Sequence, residues 1–269
     1  MNIFHALVLG MIQGLAEFLP ISSSGHLIIA PWLFNWQDPG LGFDVALHWG
    51  TLLAVLSYFW QDIWLIIRGF FHSLMPSTRD IQNNIYQKLS WLLIIATIPG
   101  AIIGKLLETK AEHAFRNPLL IAVTISGFGI VLLFADWAGK KLKNLDRITR
   151  LDAFLIGIGQ ALAVIPGVSR SGASIAAGLF LGFKREDAAR FSFLMSAPII
   201  FGAGLIALKD GVGGVSMGEL AVGFISAAVF GFFSIKYMLR YLSKHNYNIF
   251  VWYRLAFAAL ILIVIFARR

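Results

Sequence analysis

Apolar residues along this chain gather into long blocks separated by short polar stretches, and the blocks form two similar series. The first series opens with an apolar segment at residues 3 to 19, broken at Pro20, followed by small polar residues and a second apolar run from Leu27 to Phe34. Neither limb has the ~20 residues that a helix needs to cross the hydrocarbon layer. The pattern therefore predicts a re-entrant helical hairpin over 3–34, tolerable at depth only where protein or a wet cavity satisfies the freed backbone groups. Full spans are predicted at about 43–60, 89–107 and 118–135, and the piece Ile63 to Met75, interrupted by Arg68 and Gly69, reads as an interfacial helix. After a polar loop at 136–152 the series returns: a broken stretch at 153–182 around Pro166, then spans at about 188–207, 217–236 and 249–267.

A constant offset of 147 aligns Gln13 with Gln160, Leu15 with Leu162, Ala16 with Ala163, Ser22 with Ser169, Ser24 with Ser171 and Gly25 with Gly172. Each half contains one hairpin plus three spans, and an odd number of crossings inverts the second copy. The expected fold is an all-α integral membrane protein with an inverted-topology repeat, six transmembrane helices and two re-entrant helical hairpins. It forms one membrane domain over 1–269: a first repeat at 1–135, a basic cytoplasmic linker at 136–152 and a second repeat at 153–269. The loops around Arg68, Arg79 and Lys88, around Lys140 to Arg150, around Lys184 to Arg190, and around Lys236 to Lys244 are basic and expected inside. The loops at 20–42, 108–117 and 208–216 are expected outside. Arg268 and Arg269 fall outside, against the rule.

Composition agrees with a membrane reading: 58% of residues are hydrophobic and 13% charged, too few polar groups to cover a soluble globule of 269 residues. The net charge of +8 resides in short loops, with no basic stripe or separate basic domain, so no nucleic-acid partner is implied. The absence of cysteine excludes disulfides and thiolate metal sites. A bound metal would need oxygen or imidazole ligands, which favours Mg²⁺ or Ca²⁺.

The candidate chemistry lies in the two polar loops, QGLAEFLPISSSGH at Gln13 to His26 and QALAVIPGVSRSGAS at Gln160 to Ser174. Hairpins entering from opposite faces would bring Glu17 and His26 close to Arg170. Arg170, between Gly167 and Gly172, has a planar fork that matches two phosphate oxygens, or could pair with Glu17 to hold the hairpins together. Gln13 and Glu17, four apart, share a helical face and offer oxygens to a hard divalent cation. Ser22, Ser23, Ser24 and Gly25 precede His26, which could act as general acid or nucleophile, and a serine hydroxyl could attack phosphorus if a base takes its proton. Ser169 and Ser174 flank Arg170 as phosphate donors, with Ser171 between them. His48 reads first as a packing or hydrogen-bonding histidine of the first span, with a place facing the site as the alternative, and the histidines at 5, 72, 113 and 245 read as solvated.

These two blocks resemble the signature motifs of the bacterial undecaprenyl-diphosphate phosphatases, the bacitracin-resistance family. FDVALHWGTLLAV and FSFLMSAPIIFGA extend the likeness over most of the chain. The resemblance implies hydrolysis of the terminal phosphate of C55 undecaprenyl diphosphate to the monophosphate that carries cell-wall precursors. It also implies a divalent cation, residence in the bacterial inner membrane and a site open to the outer face. Carried over by position, Gln13 and Glu17 form the acidic pair, Ser23 and His26 are candidates for nucleophile and proton transfer, and Ser169, Arg170 and Ser174 bind phosphate. Gln13 stands where many members have Glu, and Ser174 where Thr is usual. The expected partners are the polyprenyl diphosphate and membrane lipids, and a homodimer is compatible with the sequence. A transporter or flippase of the lipid phosphate is the main rival, because broken helices in inverted repeats also build secondary transporters.

Overall fold

The computed structural model describes residues 1–74, 84–112, 116–207 and 214–268. Met75, Arg79, His113, Arg269, residues 113–115 of the loop expected at 108–117 and most of that expected at 208–216 lie outside the described residues. Eleven α-helices are described, and no strand occurs among the described residues. They are α1 (Ile3–Phe18), α2 (Ser23–Phe34), α3 (Leu41–Tyr58), α4 (Trp60–Ser73), α5 (Asn84–Glu112), α6 (Pro118–Ala138), α7 (Arg150–Ala161), α8 (Arg170–Phe180), α9 (Arg185–Ala207), α10 (Met217–Leu242) and α11 (Asn248–Ala267). Six of them, α3, α5, α6, α9, α10 and α11, are long and apolar enough to cross a membrane. With Trp60, Trp64, Phe134, Trp252 and Ile263 all well exposed, the outer surface is apolar, as lipid contact requires and water does not favour.

The breaks have local causes. α1 stops at Phe18 because Leu19 precedes Pro20, and the residue before a proline is pushed out of the helical region; Leu19 is extended at φ −69°, ψ 139°. α7 passes into a 3₁₀ turn at Leu162–Val164, and Ile165, before Pro166, is likewise extended. α4 is a separate short helix that packs on α5.

Helices of one half pack on those of the other: α1 lies along α10, α7 along α5, α3 against α9 and α6 against α11. Glycine permits the first two contacts. A methyl group on Gly10 would lie 2.4 Å from the Gly223 carbonyl oxygen, and one on Gly157 would lie 2.4 Å from that of Ala96. Gly10 and Gly157 are separated by the same offset of 147 as the polar loops. Ser226 and Ser234 then donate from α10 to the carbonyls of Leu7 and Leu15 on α1, both at 3.0 Å. Such small-residue contacts are how helices associate where lipid is as apolar as any side chain.

Chain ends fasten the short helices. Arg268, at the end of α11, donates to the carbonyls of Trp32 (2.8 Å) and Leu33 (2.9 Å), close to the C-terminus of α2. That is a physical use for a cation expected to depart from the positive-inside pattern. Past the end of α8, Gly182 accepts from the amide of Lys143 (2.9 Å) and Lys184 donates back to the Lys143 carbonyl (3.0 Å), which ties α8 to the basic linker.

Candidate active site

The two polar loops are built alike. Ser22 caps α2 and Ser169 caps α8, and both adopt left-handed backbones, with φ 76° and φ 73°. Glycine is the usual occupant there, and a side chain costs of order 1–3 kcal/mol. The hydroxyls offset that cost: Ser22 Oγ accepts from Gly25 N (3.4 Å) and Gly167 N (3.1 Å), and Ser169 Oγ accepts from Gly172 N (3.1 Å). The Gly167 bond crosses from one loop to the other. So does Ser171 Oγ, which donates to the Leu19 carbonyl at 3.1 Å.

A residue that the sequence reading passed over holds this crossing. Arg254, in the middle of α11, is fully buried and aims its guanidinium between the loops. Its Nε donates to Ile125 O (2.8 Å), Nη1 to Pro20 O (2.9 Å), and Nη2 to Gly167 O (2.8 Å) and Val168 O (3.2 Å). The available signal was a charged residue inside an otherwise apolar span.

A cavity of about 570 Å³ opens beside the loops, and its walls include Glu17, Ser23, Ser24, Ser169 and Arg170. Glu17 is the hub. Arg170 Nη2 lies 2.7 Å from its Oε1, while its Oε2 accepts from the Ser23 hydroxyl and from Gln13 Nε2 (3.0 Å). The Arg170–Glu17 pair is thus present, as one of the two roles considered for Arg170, and Nη1 of the same guanidinium has no partner. The N-termini of α2 and α8 also face this space, adding their dipole ends to the positive charge. An anion with several oxygens suits such a place.

Two histidines lie near the loops in different settings. His26 is not on the cavity wall. Its Nδ1 lies 2.7 Å from the Ser22 carbonyl, which can only accept, so Nδ1 carries the proton and Nε2 accepts from the Tyr253 hydroxyl at 2.8 Å. The ring stacks on Phe257 at 4.2 Å between centroids. Both ring nitrogens are thus engaged, with Ser22 and Tyr253. His48 lines the cavity, the alternative place considered for it: Nδ1 donates to the Asp44 carbonyl (2.7 Å) and Nε2 stands 3.6 Å from Glu17 Oε2. Position in a span left both places open, because the carboxylate it faces is 31 residues away in sequence.

Of the other expected residues, Ser22, Gly25, Ser171 and Ser174 lie one layer behind the wall. Ser174 donates to the Arg170 carbonyl at 2.7 Å and exchanges a hydrogen bond with Ser192 at 2.7 Å, so its hydroxyl fixes the backbone of Arg170. Gln13 is buried behind Glu17, with Oε1 unpartnered. Gln160 was noticed only as the counterpart of Gln13, yet it lies on the cavity wall.

No group of three or more His, Asp or Glu that could cage a metal occurs among the described residues. The donors at hand are the Glu17 carboxylate, the unpartnered Gln13 oxygen and His48 Nε2. They fit a hard divalent cation that keeps several waters and is completed by substrate phosphate oxygens, and they do not form a closed cage.

The family model for bacitracin resistance protein BacA matches residues 6–260. The undecaprenyl-diphosphatase of Moorella thermoacetica is 51% identical over 274 residues, covering 100% of both chains. That of Pelotomaculum thermopropionicum is 49% identical over 269 residues, covering 100% of this chain and 98% of its own, and that of Geobacter metallireducens is 45% identical over 271 residues, covering 99% of each.

Proposed function

The chain belongs to the bacitracin resistance protein BacA family, and on that premise we propose that it hydrolyses undecaprenyl diphosphate to undecaprenyl phosphate and inorganic phosphate, at a site open to the outer face of the bacterial inner membrane. Recycling of this lipid carrier underlies resistance to bacitracin. The observation that carries the chemical reading is the Ser23 hydroxyl donating to one oxygen of Glu17 while Arg170 pairs with the other.

In this mechanism the diphosphate draws Arg170 away from Glu17, and its planar fork takes two oxygens of the transferred phosphoryl group. Ser23 Oγ attacks phosphorus, and its proton passes to Glu17 Oε2. The P–O bond to the lipid phosphate breaks, the electron pair leaves with that oxygen, and Glu17 hands its proton to the departing lipid phosphate. Water then attacks the phosphoserine; Glu17 takes its proton and returns it to Ser23 Oγ as inorganic phosphate leaves. Gln13 Nε2, donating to the same carboxylate oxygen, holds it in line. A divalent cation, Mg²⁺ or Ca²⁺, held by Glu17 with Gln13 Oε1 beside it, would supply further neutralisation of phosphate charge.

The proposed architecture is an inverted repeat, 1–135 and 153–269 around the linker 136–152, with re-entrant hairpins at 3–34 and 153–182. Its support is the recurrence at one offset of the left-handed serine caps, of Gly10 and Gly157, and of the pairings α1 on α10 and α7 on α5. The attachment of α2 to the end of α11, and of α8 to the basic linker, suits hairpins that return to opposite faces. Support for the outer opening is that the cavity wall reaches Leu41, Lys105 and Ile206, next to the three loops expected outside.

The test is phosphate release from undecaprenyl diphosphate by purified protein in detergent, where no gradient exists. Ser23→Ala and Glu17→Gln should each lower kcat by about 10³-fold, within the range for losing a nucleophile or its base; His26→Gln should retain kcat within about tenfold; and a chelator should lower the rate. Wild-type turnover by Ser23→Ala would assign the attack elsewhere, and a wild type that binds the lipid without releasing phosphate would favour lipid transport.

A further inference from the structure

Gln160 sits at the end of α7, 97% shielded from solvent, on the wall of the cavity, with neither its amide oxygen nor its amide nitrogen partnered. A buried amide without partners costs free energy that natural cores rarely tolerate unless something else satisfies it. The internal repeat explains how the vacancy arose. Gln13 spends its amide hydrogen on Glu17, four residues on; the counterpart of Glu17 is Val164, which offers nothing, so the amide of Gln160 is left without a partner at the cavity wall.

Its surroundings specify the ligand. The same cavity wall holds the Glu17, Ser23 and Arg170 cluster and apolar residues that include Ala163, Val164 and Ile199. Gly100 faces the amide closely, since a methyl there would lie 3.1 Å from Gln160 Nε2 and 3.6 Å from Ile199. A diphosphate lipid entering this cavity has its terminal phosphate at the cluster and its tail along the apolar wall, which leaves the inner phosphate at the boundary. We infer that Gln160 is the binding residue for the phosphate that remains on the lipid, with Nε2 donating to a phosphate oxygen and Oε1 accepting from a protonated oxygen or a bound water. A neutral amide suits this position because it holds the product phosphate without the charge that would retain it. Arg170, on the same cavity wall, has an unpartnered Nη1 as a further donor for the ligand. This inference rests on the diphosphatase reading above.

The experiment compares wild type with Gln160→Leu and Gln160→Asn in detergent, following phosphate release and, separately, equilibrium binding of the lipid monophosphate. The expected result for Gln160→Leu is a rise of about tenfold in KM for the diphosphate, the factor of one lost hydrogen bond to a charged oxygen, with kcat within about threefold. Monophosphate binding should weaken by the same factor, and Gln160→Asn, whose amide falls short, should show the same direction. Unchanged KM and monophosphate affinity would overturn the inference, as would loss of kcat at constant KM, which would place Gln160 in the chemical step. If wild type released no phosphate, the diphosphatase reading would fall. The monophosphate binding comparison would still judge Gln160. Gln160→Asn keeps the test open if Gln160→Leu does not fold, with gel-filtration elution as the check.

Discussion

Replacing Arg254 with methionine should disable the protein without touching the cavity. The methionine fills part of the same volume but donates no hydrogen bond, and the guanidinium makes four to carbonyls of Pro20, Ile125, Gly167 and Val168. Ile125 keeps a helical context and relaxes most easily. The other three carbonyls belong to the irregular loops, where no helix can satisfy them. At about 1–3 kcal/mol for each unsatisfied buried acceptor, and allowing one to find another donor, the loss is about 2–6 kcal/mol. Removing the buried charge, which meets no carboxylate among the described residues, returns part of its desolvation cost, so the lower half of that range is expected. The functional loss should exceed the stability loss, because Pro20 and Gly167 carry the segments that present Ser23 and Arg170. A shift of about 1 Å there is worth about 10²-fold in rate. Thermal unfolding in detergent and phosphate release, measured on the same preparation of Arg254→Met and Arg254→Lys, would test this. Lysine can satisfy one or two of the carbonyls and should fall between. An Arg254→Met protein with a wild-type unfolding midpoint and wild-type kcat would refute the reasoning.

Two further outcomes follow from the same geometry. Gly157→Ala places a methyl 2.4 Å from the Ala96 carbonyl oxygen, so α7 and α5 must separate; a loss of about 1–3 kcal/mol is expected in a denaturation series, and an unchanged midpoint would contradict the close approach. Asp152, at the start of α7, would be pushed up by burial, but hydrogen bonds from Lys143 and from the Thr149 hydroxyl and amide outweigh it and hold the carboxyl below its ordinary range. Its contribution is therefore complete above the unfolded value of about 4 and is lost as pH falls through the folded one. Wild type should exceed Asp152→Asn in unfolding temperature at pH 7, with the gap closing below about pH 4; an equal gap at both pH values would refute it.

What was legible in the sequence was what periodicity, length and local chemistry control. The six long apolar runs could only be spans, since backbone groups in lipid must be satisfied within the helix. Pro20 and Pro166 marked where the short helices break, because proline restricts the residue before it. Glu17, Ser23 and Arg170 were visible as polar groups too costly to place in an apolar chain without a use. The roles of the histidines were not legible. His26 stands in the signature loop, yet its ring nitrogens go to Ser22 and Tyr253; His48 stands in an ordinary span, yet its Nε2 faces Glu17. Which way a ring turns depends on partners 227 and 31 residues away, and only packing brings those partners together. The same holds for Arg254, whose acceptors come from three segments distant in sequence, and for Gln160, whose amide is unpaired because a valine replaces the carboxylate one turn on. Sequence determined which groups had to be buried in this membrane fold; tertiary structure decided which of them meet a neighbour and which are left facing the cavity.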